Sequence, residues 1–186
     1  MMKRIKQLGC AVLCVMSFML LAACGPDVST PTGAYQAGMN AMKTFDEKGM
    51  RAYFQDGVTD NMFDYFATFD ETEQKTAQEL AKAMYKKLET KVLEETVNGN
   101  SATLKVEIAW VDREEIQAGL ANGLAKNGLT TADLSEKSNE DKLVQILKDV
   151  FGKAERTDPK TVTVPMILED GQWKIAENPV ELFLRQ

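Results

Sequence analysis

The sequence predicts a single α+β domain: a run of helices, a β-hairpin, inserted helices, and a second hairpin. Three observations predict it. Apolar residues recur at helical spacing over much of the stretch from Tyr35 to Leu88. Between Ala102 and Trp110 the period drops to two, as Leu104, Val106 and Ile108 alternate with Thr103, Lys105 and Glu107. A second alternating run, Val162, Val164, Met166 and Leu168, leads into an Asp170-Gly171 turn and a Trp173-Lys174-Ile175 strand. No internal repeat and no second domain boundary interrupts this order.

Taken in chain order, Tyr35, Met39 and Met42 fall at i, i+4 and i+7 and mark a first amphipathic helix that stops near Asp46. A short second helix follows from Glu47 to Phe54, and Gln55-Asp56-Gly57 breaks it. Met62, Phe63, Tyr65, Phe66 and Phe69 form the densest aromatic cluster. Side chains of that size read as core, with the wall of an apolar pocket as the alternative. Asp70 and Glu73 have the spacing of a reciprocal N-terminal cap, and Ala77, Leu80, Ala81, Met84 and Leu88 continue a helix from about Glu73 to Thr90. Val92 to Val97 is rich in β-branched residues, and Asn98-Gly99-Asn100 turns it back onto the alternating strand.

Asp112 and Glu115 repeat the cap spacing ahead of a narrow apolar line, Ile116, Leu120 and Leu124, which ends at Asn127-Gly128. Gly119 and Gly123 weaken this helix by about 1 kcal/mol each relative to Ala, so the segment reads as a mobile flap over the domain. A short turn is expected around Ala132 to Glu136. Ser138 and Asp141 then cap a helix whose buried face is Leu143, Ile146, Leu147, Val150 and Phe151. Thr157-Asp158-Pro159 ends it. Pro165 in the next strand points to an edge position or a bulge, and Val180 to Leu184 reads as a closing strand or short helix.

The N-terminus carries an address. Lys3, Arg4 and Lys6 precede an apolar run from Leu8 to Ala23, and Leu21-Ala22-Ala23-Cys24 closes it. Charge, then grease, then small residues is the order of a secretory signal. The alternative, a retained membrane helix, needs about 20 apolar residues. The same four residues resemble the bacterial lipobox, which implies cleavage between Ala23 and Cys24 and acylation of Cys24. Two acyl chains hold a protein stably on a bilayer where one does not. Residues 1–23 are thus a lipoprotein signal peptide, 24–33 a flexible Gly/Pro/Ser/Thr tether and 34–186 the folded domain. The expected location is extracytoplasmic, lipid-anchored to a bacterial membrane.

Removing the leader discards Cys10 and Cys14, so the mature chain has Cys24 alone and no disulfide within it. It also removes three basic residues and no acidic one, taking the formal charge from −6 to about −9. An acidic domain repels phosphate backbones, so nucleic acid is not an expected partner. The chain has no His, which removes the commonest general base and the commonest metal ligand. Neither metal nor cofactor is expected: the acidic run Asp133, Glu136, Glu140 and Asp141 lacks the alternating ligands and central Gly of a calcium loop. No phosphate-cradling loop, nucleophile motif or zinc pattern is present.

The element order, closing on the Val162 to Ile175 strand-turn-strand, resembles the nuclear transport factor 2-like (cystatin-like) domains found in many bacterial lipoproteins. The resemblance implies a curved antiparallel sheet wrapped around the N-terminal helices as a cone, often with a pocket in its mouth, and often a homodimer. The inserted helices from Glu114 to Lys153 depart from the compact form of that fold. Enzymes on it are usually isomerases or dehydratases with Asp, His or Tyr in the pocket. Here such chemistry would fall to a carboxylate with a raised pKa, yet Glu107 faces away from Trp110, and Asp70, Glu73, Asp112, Glu115 and Asp141 read as helix caps. The expectation is therefore a non-catalytic binding module, with no catalytic residue assigned. Phe66, Met84, Tyr85 and Trp110 are expected to line an apolar mouth for a small apolar ligand, or the sheet to dock an envelope protein or a second copy. A carboxylate-dependent isomerase or dehydratase is the alternative. Changing Cys24 to Ala is expected to abolish incorporation of labelled fatty acid and to accumulate the uncleaved precursor on a gel.

Overall fold

A computed structural model of the chain describes residues 26–135 and 137–185, among them seven α-helices and four strands in one antiparallel sheet. Four helices come first: α1 (Pro31–Thr44), α2 (Glu47–Tyr53), α3 (Asp60–Ala67) and α4 (Glu71–Tyr85). The hairpin β1 (Glu89–Asn98) and β2 (Ser101–Ala109) follows. Then come α5 (Arg113–Lys126), two 3-10 turns (Thr131–Ser135 and Lys137–Asn139) and α6 (Glu140–Lys153). The chain closes with β3 (Lys160–Glu169), β4 (Gln172–Ile175) and α7 (Pro179–Leu184). This is the expected α+β arrangement, helices packed on a curled sheet with helices inserted between two hairpins.

The strands lie in the order β1-β2-β3-β4, every neighbour antiparallel. Alternation decides which face is buried: Ala102, Leu104, Val106 and Ile108 pair with Met166, Val164, Val162 and Lys160, and nearly all of these side chains lie in the core. The helices cover that inner face. The outer face carries Thr103 and Thr163 with the cross-strand pairs Lys105–Glu94 (3.7 Å) and Lys91–Glu107 (3.9 Å). A face of this kind stays wetted.

Local chemistry sets the helix ends. Thr30 caps α1 through its side-chain oxygen, which accepts from the Gly33 N–H, and Pro31 occupies the first turn. The helix thus begins at Pro31, inside the stretch expected to be tether. Phe45, left-handed at φ 52°, ends it and returns its N–H to Ala41 and Met42. Asp70 and Glu73 form the expected capping box of α4. That helix stops at Tyr85, five residues before the expected Thr90, because the backbone from Glu89 pairs with β2, starting opposite Ala109.

Other expectations are corrected. Asp112 does cap α5, but Glu115 reaches away to the Glu155 N–H at 3.2 Å. The N-cap of α6 is Asn139, between the expected Ser138 and Asp141. β3 is an inner strand, not an edge. Pro165 is accommodated because its missing N–H points past the end of β4, where its carbonyl still accepts from Ala176 N–H at 3.0 Å. Val180 to Leu184 is helical, with Asn178 as cap.

The inserted helices are not arranged as a loose flap. α5 packs against α6, and a Cβ at Gly119 would come within 3.0 Å of Val150 while one at Gly123 would collide with Ile146. The glycines lower helix propensity and, in exchange, let two helix backbones approach. Overpacking such a contact costs about 1–3 kcal/mol. Gly123→Ala is accordingly expected to destabilise the domain by that amount in urea unfolding. Gly152→Ala, where an added Cβ meets nothing within 4 Å, is expected to stabilise it by about 0.5–1 kcal/mol.

Candidate functional site

The four residues expected to share a mouth divide into two groups. Trp110 follows β2 directly, and its indole Nε1 donates to the Met84 carbonyl at 3.1 Å. Its ring stacks on Tyr85, with centroids 6.2 Å apart and planes 10° from parallel. Trp110 and Tyr85 are only 7% and 8% exposed, so this trio is packing within the core. The Trp110 carbonyl is held in turn by the Thr157 N–H at 2.7 Å. Phe66 belongs elsewhere, in edge contact with Phe45 at 5.2 Å. The Trp110 group fills the place where a mouth was expected.

Phe66 instead belongs to an aromatic corner built on α3. Phe63 and Phe45 are buried beneath it, 6.0 Å apart in a T-shaped pair. Above them Tyr65 is 62% exposed, and Phe66 and Phe69 are half-buried. Tyr65 stands edge-on to Phe69 at 4.9 Å and tilted against Phe66 at 6.1 Å. Arg51 lies 4.7 Å over the Phe63 ring and pairs with Glu47 at 3.0 Å and Asp60 at 2.9 Å. A cleft of about 180 Å³ opens here, lined by Phe45, Phe63, Phe66, Arg51, Gln74 and Gln78. Core packing, the favoured reading of this cluster, therefore holds for Phe63 and not for Tyr65. Residue type alone could not separate them: α3 is a short helix with more aromatics than its single buried face can cover.

Larger grooves lie elsewhere. One, of about 590 Å³, runs between α1 and α2 past Pro26, Gln36, Asn40, Asp46, Gly49 and Tyr53. Another, of about 420 Å³, lies between α5 and α6.

The charged groups do structural work. Asp133 accepts from the Thr130 hydroxyl and N–H, which holds its carboxyl below the usual range, and Glu79 is lowered by its 2.6 Å bond from Lys148. Of the acidic run read from the sequence, Glu136 lies outside the described residues. No group of three or more His, Cys, Asp or Glu that could hold a metal ion occurs among the described residues. Ala23 and Cys24, the cleavage and lipidation residues, also lie outside the described residues.

One interior polar group was missed in the sequence. Tyr35 sits in the apolar stripe of α1, fully buried, and the Thr90 side chain approaches its hydroxyl without forming a well-aligned hydrogen bond. Only its place in the stripe could have signalled it. Burial pushes the phenol well above its ordinary 10.0.

No family model matches the sequence, and no curated protein is recognisably similar to it. Among solved structures, the chain is similar to one described as a "putative lipoprotein (ycdA)" from Bacillus subtilis, at 12% identity and a TM-score of 0.54. The match covers 81% of this chain and 52% of that one, so this chain spans about half the length of the Bacillus protein. A "putative ketosteroid isomerase" from Shewanella frigidimarina superposes more loosely, with TM-score 0.39 and 14% identity over 81% of this chain and 94% of that one. The likeness to the Bacillus protein is one of fold, an arrangement of helices on a curled antiparallel sheet.

The Tyr35 phenol yields a stability prediction with a definite sign. The folded state keeps its proton above pH 10, whereas the unfolded chain loses it near 10.0. Stability should therefore fall as pH rises past about 10, by up to about 1.4 kcal/mol per pH unit. Tyr35→Phe is expected to remove that component and, by deleting a buried unpaired hydroxyl, to add about 1 kcal/mol at neutral pH. Urea unfolding at pH 7 and pH 10.5 measures both.

Proposed function

We propose that the mature chain is a lipid-anchored extracytoplasmic lipoprotein whose domain is a non-catalytic binding module, docking an envelope protein partner on the aromatic corner of α3. The observation that carries the docking reading is the exposure of Tyr65 above half-buried Phe66 and Phe69. Leaving aromatic surface in water forgoes about 25 cal/mol for each Å² left uncovered. Aromatic side chains are enriched at the centres of protein interfaces, where a few of them supply most of the binding energy. The rings brace one another edge to face, so little side-chain freedom remains to be lost on docking.

A small apolar ligand has less support at this corner. Pockets for such ligands enclose about 300–1,000 Å³, and the cleft beside the corner holds about 180 Å³. The anchored reading rests on the Leu21-Ala22-Ala23-Cys24 pattern, and the description of the Bacillus fold neighbour agrees with it. The alternative of an isomerase or dehydratase calls for a carboxylate raised by burial. Among the described residues, the carboxyls with displaced ionisation, Asp27, Glu79 and Asp133, are displaced downward by hydrogen bonds from Ser29, Lys148 and Thr130.

A photo-crosslinking residue at position 65 in cells is expected to give a discrete protein adduct, and one at position 103 on the polar sheet face is expected to give none. Phe69→Ala should abolish the adduct by weakening docking about 1–2 kcal/mol, while changing the unfolding midpoint little. Equal labelling from both positions would remove the docking reading.

A further inference from the structure

We propose that the domain is seated directly in the headgroup layer of its membrane, with the groove between α1 and α2 turned toward the lipid. This rests on the lipid-anchored reading of Cys24 and adds to it an orientation and a contact surface. The stretch expected to serve as a spacer is used up in the cap of α1. The Asp27 carbonyl accepts from the Thr30 N–H at 3.1 Å and the Thr30 hydroxyl at 2.9 Å. Its carboxylate accepts from the Ser29 hydroxyl at 2.6 Å and the Ser29 N–H at 3.1 Å. A side chain at Gly33 would collide with the Asp27 carbonyl, so the turn lies tight against the helix.

What remains between the acylated residue and the folded turn is Gly25 and Pro26. At no more than about 3.6 Å per residue, Pro26 lies within about 7 Å of Cys24. The polar layer on each side of a bilayer is itself about 5–7 Å thick. No spacer of that length can lift the domain clear of it.

Pro26 is also a wall of the α1–α2 groove, and two features suit that surface to lipid. Val28, in the same turn, is 43% exposed, an apolar side chain four residues from the anchor. Within the groove, the exposed side chains of Gln36 and Asn40 offer amide donors, and Asp46 caps its helix without a side-chain hydrogen bond, leaving its carboxylate to face the groove rim. Donors for phosphate oxygens beside a carboxylate for an ammonium match a zwitterionic, amine-bearing headgroup. Its strictly anionic counterpart is disfavoured by the net charge of the chain.

The test uses the full lipidated chain in vesicles of phosphatidylethanolamine and phosphatidylglycerol that carry a headgroup-linked quencher. With Cys24 acylated, Gln36→Cys supplies the one free thiol for a fluorophore. Lys126→Cys, on α5 at the wall of the α5–α6 groove, supplies the reference. The position-36 probe is expected to lose emission on reconstitution and the position-126 probe to keep it. Val28→Asp should reduce the loss at position 36 while the protein still floats with the vesicles. Flotation with equal emission at both positions would overturn the seated orientation and leave the anchor standing. Failure to float would overturn the anchor, and the orientation with it.

Discussion

The structure depends on α1 lying close against the inner face of the sheet. Tyr35, Met39 and Met42 are buried there, and each large apolar side chain so placed contributes about 1.5–3 kcal/mol. Closeness is permitted by Gly38: a Cβ at that position would come within 2.7 Å of the Ile175 side chain and 3.1 Å of Tyr53. The left-handed turn at Phe45 then sends α2 back along α1. That return delivers Phe54 to a parallel bridge with Ile175, and the Gln55 N–H to the Ile175 carbonyl at 2.9 Å. The outer edge of β4 is thereby closed, which is one of the ways a sheet avoids pairing with another chain.

The start of α1 is held at the other edge of the sheet, by β1. In β1 the register shifts between Val92 and Glu94, and the extra residue re-aims the side chains beyond it. Glu95 consequently lies opposite Leu104, on the helix-covered face, where its carboxylate accepts from the Thr32 N–H at 2.9 Å and the Thr32 hydroxyl at 2.6 Å. A negative charge there also complements the positive end of the helix dipole. Strand irregularity, helix cap and the point where the chain leaves toward Cys24 are one connected feature.

The aromatic residues illustrate how a small domain divides its apolar surface. Trp110 and Tyr85 stack in the junction between α4 and the end of β2, where the indole N–H finds the Met84 carbonyl. A buried Trp satisfied in this way adds stability. On α3, Phe63 takes the buried position and Tyr65 is left exposed, with half-buried Phe69 just past the end of the helix. The surplus faces solvent. The exposed aromatic surface thus lies where the core ends, on the outside of the helical layer.

Features set within a few residues were legible in the sequence. The Asp70–Glu73 box, the Asp112 cap, the Asn98 to Asn100 turn and the alternation of β2 each depend on near neighbours or on a period, and each occurs as read. Features that need a partner far along the chain were not. The role of Gly123 depends on Ile146, the tolerance of Pro165 on where β4 stops, and the length of α4 on the strand that pairs with Glu89. The candidate site divided in the same way: an aromatic cluster near Phe66 was evident from composition, whereas which ring faces water was decided by α1 and α4 beside it. Sequence by itself determined the local elements and the order of the fold, because caps, turns and periodicity are short-range. Tertiary structure alone decided which apolar residues remain exposed, because burial is settled by what the rest of the chain brings against them.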